Sequence, residues 1–339
     1  LRRPRRGRGR RHRPAALGPR AGPRPFGVLG GRRRPAKALA RGLRARRPAR
    51  RRPRRGRHPG RQDAAMRVLL TGAGGYLGSA LAEALSAAHE VRTLSARTPP
   101  EDGALDAALA GCGAVAHLAA LKGDECAADP ARAMAVNVDL TRRLVGAAER
   151  AGVGSFLFAS SYFVLTPTDE YARTKLLAEE AVRGFRGAAV VARIASVFGF
   201  DPQGRGQEVV AAFVRNGLAG RIAVSGDGSA ELDLVDRRDA VRWLALLLGR
   251  GERPALTLDV ARGESVTLAA LAALVADRLA ASGAPRPKVE FVPRVGPPPP
   301  PRRADAAALR RVLGPQARAM PLGDAVAEFI AQYRLAQPR

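Results

Sequence analysis

The chain has 339 residues, a length that fits one large or two modest domains with a substantial core. Its two cysteines, Cys112 and Cys126, exclude a disulfide framework, and no apolar run is long enough to span a membrane, so we expect a protein of the reducing cytoplasm. Of the net charge of +28, residues 1–65 carry +24, from 25 Lys and Arg against one acidic residue, which leaves +4 for residues 66–339. The charge of this larger part excludes no class of enzyme and does not indicate a nucleic-acid-binding protein.

Residues 1–65 consist mainly of Arg, Pro, Gly and Ala without hydrophobic periodicity, so we expect a disordered segment. Three interpretations compete: a tail that binds nucleic acid or another anionic surface, an organellar targeting peptide, and an over-extended gene model. We favour the third, because the chain starts with Leu1 and Met66 stands directly before the first predicted strand. An intact mass of the native protein that includes residues 1–65 would contradict this hypothesis.

The first predicted strand leads straight into a glycine-rich turn. The stretch from Met66 to Ser79 reads MRVLLTGAGGYLGS, with its glycines spaced G-x-x-G-x-x-G. Gly72 permits the tight turn, Gly75 allows the backbone to approach a pyrophosphate, and Gly78 allows helix and strand to pack closely. A helix with leucines at every fourth position follows, and its N-terminus offers free amide hydrogens to an anion. Strand, turn and helix together predict a dinucleotide-binding turn.

Strands and helices then alternate along the first half of the chain. Strands are predicted at 68–71, 90–94, 114–118, 155–159 and 188–193. Between them, helices are predicted from about residue 79 and at 105–110, 129–151 and 168–184. This alternation predicts an α/β fold with a doubly wound parallel sheet.

The second half is less regular. Helices are predicted at 207–216, 238–248, 268–281, 305–313 and 322–335. Strands are predicted at 222–224, 232–235, 256–260 and 289–292, before a proline run at 297–301 that must be an extended connector. We therefore expect a dinucleotide-binding core over residues 66–194 and a smaller α/β substrate lobe over residues 195–339, with segments that return to the core.

Tyr171 and Lys175 are four residues apart in EYARTKLLAEE and therefore share a face of the predicted helix. A tyrosine has an ordinary pKa of about 10, and a neighbouring ammonium favours the phenolate, which would make the pair a general acid/base for a hydroxyl or carbonyl. The chain has four Lys against 54 Arg, so a Lys at this spacing suggests a chemical reason. A compact ammonium can also bind a ribose diol, for which a guanidinium is a poor replacement.

Two further polar positions are candidates for the same site. Ser161 follows a predicted strand at the sheet edge where parallel strands present catalytic groups, and its hydroxyl can hydrogen-bond a reacting oxygen. The alternative for Ser160 and Ser161 is a helix cap or turn. Asn137 interrupts an apolar helical stretch and is either a buried bridge to water and lysine or a solvated residue.

Several segments in a fixed order carry a resemblance to a known family. They read TGAGGYLG, HLAA, NVDLT, FASS, YARTK and RIASVFGFDP. Together they resemble the extended short-chain dehydrogenase/reductase family, of the NAD-dependent epimerase/dehydratase type, from Met66 to about Arg334. The resemblance implies a Rossmann fold, a nicotinamide cofactor and a homodimer formed by pairs of long helices.

The resemblance also implies roles for individual residues. Tyr171 would be the acid/base, Lys175 would orient the nicotinamide ribose, Ser161 would polarise the substrate oxygen and Asn137 would complete a tetrad. The residues expected to contact the cofactor are Gly72, Gly75, Tyr76, Leu77, Gly78, Leu118, Ala119, Ala120, Ser160 and Lys175. The residues expected to contact the substrate are Ser161, Ser196 and Arg237. No metal is implied.

The adenosine end departs from the family pattern. An acidic residue usually ends the second strand, where this chain has Ser95, Ala96 and Arg97. Without a carboxylate, and with Arg97 near, a 2′-phosphate is tolerated or preferred, so the cofactor is NAD or NADP and we favour NADP. The alternative is that Arg97 is solvated and another group binds the ribose. The family's third strand is missing or vestigial, and Asp102 and Asp106 are candidate substitutes for its adenine-contacting Asp.

The substrate side departs as well. Nine residues separate Ser161 from Tyr171, where the family commonly has a longer loop, so the rim of the pocket is trimmed. Glu231 stands near the place where many nucleotide-sugar enzymes have a phosphate-binding Arg, and Arg237 and Arg238 are candidate replacements.

Together these patterns favour an NAD(P)-dependent epimerase or reductase that transfers hydride at a carbonyl or hydroxyl carbon of a nucleotide sugar or related compound. A dehydratase ranks lower, because Tyr162 and Phe163 follow the serine where Asp and Glu acids are usual. Two other classes stay open: a non-catalytic NADP-binding sensor or scaffold of the same fold, and a nucleic-acid-binding protein that acts through residues 1–65.

Overall fold

The computed structural model describes residues 65–95, 98–206, 209–297 and 299–337. The expectations about residues 1–64 and about Ala96 and Arg97 lie outside this part of the chain. Among the described residues, no helix combines the length and apolar character needed to cross a membrane.

The described part contains eleven strands and eleven α-helices. The strands are β1 Arg67–Thr71, β2 Glu90–Leu94, β3 Ala114–His117, β4 Ser155–Ser161, β5 Ala188–Ile194, β6 Ser196–Phe198, β7 Arg221–Ser225, β8 Glu231–Asp236, β9 Leu256–Val260, β10 Ser265–Thr267 and β11 Lys288–Val292. The helices are α1 Tyr76–Ser86, α2 Asp102–Leu109, α3 Gly123–Ala128, α4 Pro130–Ala133, α5 Leu140–Arg150, α6 Glu170–Arg183, α7 Val209–Leu218, α8 Arg237–Leu247, α9 Leu268–Ala281, α10 Ala307–Leu313 and α11 Leu322–Leu335.

Six strands form a parallel central sheet in the order β2-β1-β3-β4-β5-β9. Its inner strands β1, β3, β4 and β5 are largely buried on both faces because both faces are covered. Val68 and Leu70 of β1 pack in one buried cluster with α1 and α8, whereas Leu69 packs in another with α2, α5 and α6. This architecture confirms the predicted α/β Rossmann fold. The strand order reverses at β1, which creates a crevice at the carboxyl ends of β1 and β3.

A third buried cluster lies outside the central sheet. It joins α7, α9 and α11 to two small sheets, one of β6, β8 and β10 and the other of β7 and β11. Since β9 returns from this half of the chain to the central sheet, the two halves are interleaved. The division at residue 194 stays a prediction.

The predicted long helix over 129–151 is interrupted. Asp129 caps α4 by accepting a hydrogen bond from Arg132 N, and a π-helical turn, Met134–Asp139, then joins α4 to α5. Single π turns inside α-helices are frequent at functional sites, and this one carries Asn137.

The edge of the sheet at β2 agrees with the expected loss of the third strand. Among the described residues, no strand pairs with β2 on its outer side, and α2 follows instead. Asp102 and Asp106 lie on α2 and form ion pairs with Arg143 and Arg150 of α5 at 2.7 and 2.8 Å. The structure therefore does not support either carboxylate as a substitute for the family's adenine contact.

Candidate functional site

The glycine-rich turn after β1 tolerates no side chain at two of its positions. Gly72 has φ of +78°, and a Cβ there would lie 2.7 Å from Ala119 N. A Cβ on Gly78 would lie 2.0 Å from Gly72 O. The turn is closed by a hydrogen bond from Gly75 N to Gly72 O of 2.9 Å, and α1 starts directly after it. The first amides of α1 therefore sit beside an exposed backbone cradle, which suits a pyrophosphate.

A cleft of about 710 Å³ opens from this turn along the carboxyl ends of the central strands. Its lining consists of residues 72–78, 93–95, 118–123, 159–161 and 194–197, with Val136, Phe163, Asp169, Tyr171 and Lys175. The structure thus brings together nearly all the residues predicted for cofactor, proton transfer and substrate. The exceptions are Asn137, which lies beneath the cleft, Arg97, which is outside the described residues, and Arg237.

Lys175 is 3% exposed and reaches the end of β4. Its Nζ donates a hydrogen bond to Ala159 O at 2.8 Å and lies 4.7 Å from the centre of the Phe158 ring. Burial lowers the pKa of Lys175 to about 8, against weaker opposing effects of Cys126 and Glu179. An ammonium that titrates this close to neutrality is typical of functional sites.

Tyr171 stands one turn before Lys175 on α6 and is half-buried at the cleft wall. Its ring packs edge-on against Phe163, with the ring centres 6.3 Å apart. Phe163 belongs to the 3₁₀ turn Tyr162–Leu165, which Ser161 caps, since Phe163 N donates to Ser161 Oγ at 3.3 Å. Ser161 therefore caps this turn and also lines the cleft, while its role at a reacting oxygen stays a prediction.

Asn137 is buried and ties two walls of the cleft together. Its Oδ1 accepts a hydrogen bond from Leu121 N at 2.8 Å, and its Nδ2 donates to Leu121 O at 3.1 Å. The same Nδ2 donates to Thr174 Oγ1 at 3.0 Å, on the helix that carries Tyr171 and Lys175. Asn137 is therefore a buried bridge from the segment after β3 to α6 and not a solvated helix residue.

Ser160 faces away from the cleft. Its hydroxyl donates to Glu179 Oε1 at 2.6 Å, and the buried Glu179 also accepts two hydrogen bonds from Arg193, at 2.9 and 2.8 Å. Burial opposes ionisation of Glu179, but the hydrogen bonds from Arg193 and Ser160 outweigh it and hold the pKa of this carboxyl below its usual value. Only the backbone of Ser160 is thus placed to contact a cofactor.

Arg237 does not lie in the cleft, which corrects its predicted role at the substrate. Its guanidinium stacks on Tyr76 at 4.7 Å and donates to Ser79 Oγ at 3.0 Å. It lines a separate cavity of about 810 Å³ between α1, α8 and α11. Asp236 caps α8 by accepting a hydrogen bond from Arg238 N, so Arg237 is the first residue of this helix. Arg238 is likewise bound to Asp236 and Glu328.

Arg302 is a candidate that the sequence patterns did not indicate. It follows the proline run, is 9% exposed, and stacks on the Phe163 ring at 4.2 Å. Among the described residues, its Nε has no hydrogen-bond partner. In the described part of the chain no ion pair to a carboxylate is seen for this buried guanidinium, which is unusual, and the ring it stacks on lines the cleft. Arg302 reaches Phe163 because the connector folds back over the 3₁₀ turn. The local pattern of apolar residues does not predict this contact between distant segments.

Comparisons with known proteins agree with this site. The model of the NAD dependent epimerase/dehydratase family matches residues 68–258. None of the curated proteins matches the chain significantly. Among solved structures, MoeE5 in complex with UDP-glucose and NAD is 26% identical, with a TM-score of 0.67 over 79% of this chain and 99% of that one. These findings confirm the resemblance seen in the sequence.

Two less identical structures show the same fold. The UDP-glucose 4-epimerase of Thermotoga maritima, with UDP-glucose, is 21% identical and has a TM-score of 0.68 over 80% of this chain and 99% of its own. DesIV, the dTDP-glucose 4,6-dehydratase of Streptomyces venezuelae, with NAD and TYD bound, is 23% identical with a TM-score of 0.67, over 80% of this chain and 97% of its own.

Proposed function

Because the chain belongs to the NAD dependent epimerase/dehydratase family, we propose that it is a nicotinamide-dependent epimerase or reductase acting on a nucleotide sugar. The observation that carries this proposal is that Tyr171, Lys175 and the glycine-rich turn line one cleft. MoeE5, the solved structure with 26% identity, holds UDP-glucose and NAD. A sugar joined to a nucleoside diphosphate is therefore the substrate class we assign.

The residues of the glycine-rich turn fit a dinucleotide. The backbone cradle at Gly72, Gly75 and Gly78, with Tyr76 and Leu77 starting α1, would hold the pyrophosphate, since a Cβ at Gly72 or Gly78 would collide with backbone. Residues 118–120 would flank the cofactor at the end of β3. Lys175 would hold the nicotinamide ribose. A nicotinamide cofactor held by these residues would supply hydride transfer at the reacting carbon.

Tyr171 would move the proton that accompanies this hydride. As a phenolate it would take the proton from the substrate hydroxyl, and as a phenol it would give the proton back to the carbonyl oxygen. The ammonium of Lys175 would stabilise the phenolate, and Ser161 would donate to the same substrate oxygen. Asn137 would hold α6 in place through Thr174.

The choice between NAD and NADP is expected to depend on the residues at the end of β2, and a direct measurement of cofactor affinity tests it. Thr93, Leu94 and Ser95 line the cleft there and provide no carboxylate for the adenosine ribose. Arg97 stays our candidate for a 2′-phosphate, and we keep the preference for NADP as a hypothesis, although NAD is the cofactor of the solved relatives. Dissociation constants for both cofactors, in the native protein and in Arg97→Ala, test it: the substitution should weaken NADP about tenfold and leave NAD unchanged.

Arg302 would contact the anionic part of the substrate. Its guanidinium is buried, stacked on Phe163 and without a carboxylate partner among the described residues, so a diphosphate would supply the missing charge. Ser196 lines the same half of the cleft, where its Oγ is 2.9 Å from Tyr162 Oη. The aromatic residues after Ser161 leave no acid pair there, which favours an epimerase or reductase over a dehydratase.

The experiment that tests the function compares Tyr171→Phe with the native protein and with Tyr333→Phe, a control on α11 whose ring stacks on Phe329. Each protein is titrated with NAD and NADP and then incubated with UDP-glucose, and products are followed by NMR. We expect Tyr171→Phe to abolish turnover while cofactor affinity stays unchanged, and Tyr333→Phe to behave like the native protein. Turnover that survives in Tyr171→Phe refutes the assigned acid/base. Cofactor binding with no turnover in the native protein favours the sensor alternative.

A further inference from the structure

A row of buried polar side chains beneath the cleft contains a histidine to which the chemistry proposed above gives no role. Its centre is His117, the last residue of β3, which is completely buried. His117 Nδ1 is 2.6 Å from Thr71 Oγ1, and Nε2 is 2.9 Å from Thr141 Oγ1. The ring is otherwise surrounded by aromatic residues, with the Phe158 and Phe156 ring centres at 5.6 and 6.3 Å.

The direction of every hydrogen bond in this row follows from the count of protons. Thr141 Oγ1 donates its single proton to Asn137 O at 2.7 Å, so it must accept from His117 Nε2. Burial, with the charge of Lys175 acting in the same direction, lowers the pKa of His117 to about 3, so the ring is neutral. Its Nδ1 is then an acceptor, and Thr71 must donate to it. Thr71 Oγ1 in turn accepts from Ala119 N at 3.3 Å.

The two ends of the row lie at the two halves of the cleft. Thr71 stands directly before Gly72, and Ala119 N is the atom that a Cβ on Gly72 would meet at 2.7 Å. At the other end, Asn137 holds Leu121 and Thr174, and Thr174 stands between Tyr171 and Lys175 on α6. The row is therefore an uninterrupted connection between the glycine-rich turn and the helix that carries the acid/base.

We propose that His117 is a positioning residue. As a neutral imidazole protonated on Nε2, it joins Thr71 to Thr141 and so fixes the glycine-rich turn relative to α6. A dinucleotide bound at the turn would thereby be held in register with Tyr171 and Lys175. This last step rests on the function proposed above, whereas the hydrogen-bonded row does not depend on it. No apolar residue could replace the ring without leaving Thr71 and Thr141 short of a buried partner.

The first test reads the protonation of the ring directly. The full chain is labelled with ¹⁵N-histidine, and His117 is identified among the four histidines by the signal missing from His117→Gln. We expect a neutral ring with the proton on Nε2 and an unprotonated Nδ1 at neutral pH. A ring protonated on Nδ1, or on both nitrogens, overturns the proposal.

The second test asks whether the row couples the two halves of the cleft. Thr141→Val keeps the shape of the side chain but removes the hydroxyl, whereas Thr141→Ser keeps the hydroxyl. Thr141 does not line the cleft, yet we expect Thr141→Val to weaken NAD binding by about tenfold and to disturb the ¹⁵N signal of His117, because partners that orient a site's own contacts have effects of this size. Thr141→Ser should restore both. The measurement is isothermal titration with NAD, well below the unfolding temperature of each variant.

The outcomes separate the two proposals. If Thr141→Val binds NAD as the native protein does and keeps the proton on Nε2, the positioning role is wrong. If the native protein binds neither NAD nor NADP, the proposed function is wrong, and the ¹⁵N signals of His117 in Thr141→Val and Thr141→Ser alone decide whether the row exists.

Discussion

At the scale of single residues, the buried ammonium of Lys175 makes the activity depend on pH in a defined direction. Burial lowers the pKa of Lys175 to about 8, so the ammonium form is lost as pH rises through about 8. Since the proposed chemistry needs the charged form, kcat/KM should fall across that interval. Lys175→Arg should move this fall above the measured range, because a guanidinium stays protonated, at the expense of a lower kcat.

The control for this prediction is Lys288→Arg. Lys288 is 77% exposed, pairs with Glu290 on β11, and lies outside the cleft. Its replacement should leave the pH profile of kcat/KM unchanged. A fall in activity near pH 8 that persists in Lys175→Arg would mean that another group is responsible.

Glu179 should contribute strongly to the stability of the region behind the cleft. It is completely buried and accepts hydrogen bonds from Arg193, Ser160 and Arg183. Glu179→Gln would leave the largely buried Arg193 without its charged partner, so we expect the free energy of unfolding to fall by about 3 kcal/mol in urea denaturation. Glu180→Gln, at the neighbouring exposed position of α6, is the matched control and should change little.

The sign of the pH dependence supplies a second check on Glu179. Its pKa in the folded protein is below the ordinary 4.5, so its contribution is complete above that value and is lost as pH falls through the folded pKa. The difference in the free energy of unfolding between the native protein and Glu179→Gln should therefore become smaller at acidic pH. Equal stability of the two variants at neutral pH would show that the ion pair contributes nothing.

At the scale of elements, the connector that contains the proline run should bring one arginine, and not its neighbour, to the substrate. Arg302 is buried against Phe163, whereas Arg303 is 79% exposed and pairs with Glu231 at 3.5 Å. We expect Arg302→Met to raise KM for UDP-glucose about tenfold, the size of one charge-assisted contact, with no change in cofactor affinity. Arg303→Met should leave KM unchanged. If both substitutions raised KM equally, the positive charge of this segment would be responsible, and not a direct contact of Arg302 with the substrate.

The bounds of β2, β9, α9 and α11 agree with the structure to the residue. In β9, α9 and α11 the apolar residues recur with the period of the element, which explains the agreement there. The three-residue strands β6 and β10 were not predicted, since both are defined by pairing with β8, far along the chain. The sequence pattern predicts regular α-helix where the structure has the π turn Met134–Asp139. The polar Asn137 within this apolar stretch is the one local feature that marks the place.

The site was predicted to the extent that its residues lie in local motifs. The glycine-rich turn and the Tyr171–Lys175 spacing place their residues by helix and strand geometry alone, and the structure brings both to one cleft. Arg237 is predicted at the substrate but lies outside this cleft, because closeness in sequence to β8 does not fix the direction of a side chain at the start of α8. Arg302 and the row through His117 arise from contacts between distant segments, which a single sequence does not display.

At the scale of the whole molecule, charge and chemistry reside in different parts of the chain. The cleft is built from residues 72–197, whereas +24 of the net charge of +28 lies in residues 1–65. Removal of residues 1–65 should therefore leave the dissociation constants for NAD and NADP unchanged. The association of two copies through pairs of long helices stays a prediction from the family resemblance, which sedimentation of the native protein tests.

The same truncation should remove any affinity for nucleic acid. If the full chain neutralises six to ten phosphates through its arginine-rich segment, its affinity for duplex DNA should fall about 10³-fold or more between 50 and 200 mM salt, because each neutralised phosphate releases a counterion. Residues 66–339, with a net charge of +4, should bind DNA weakly and with a small salt dependence. DNA binding that survives truncation would place a nucleic-acid surface on the enzyme fold itself. If the mass of the native protein shows that it lacks residues 1–65, the DNA binding would be a property of the longer chain alone.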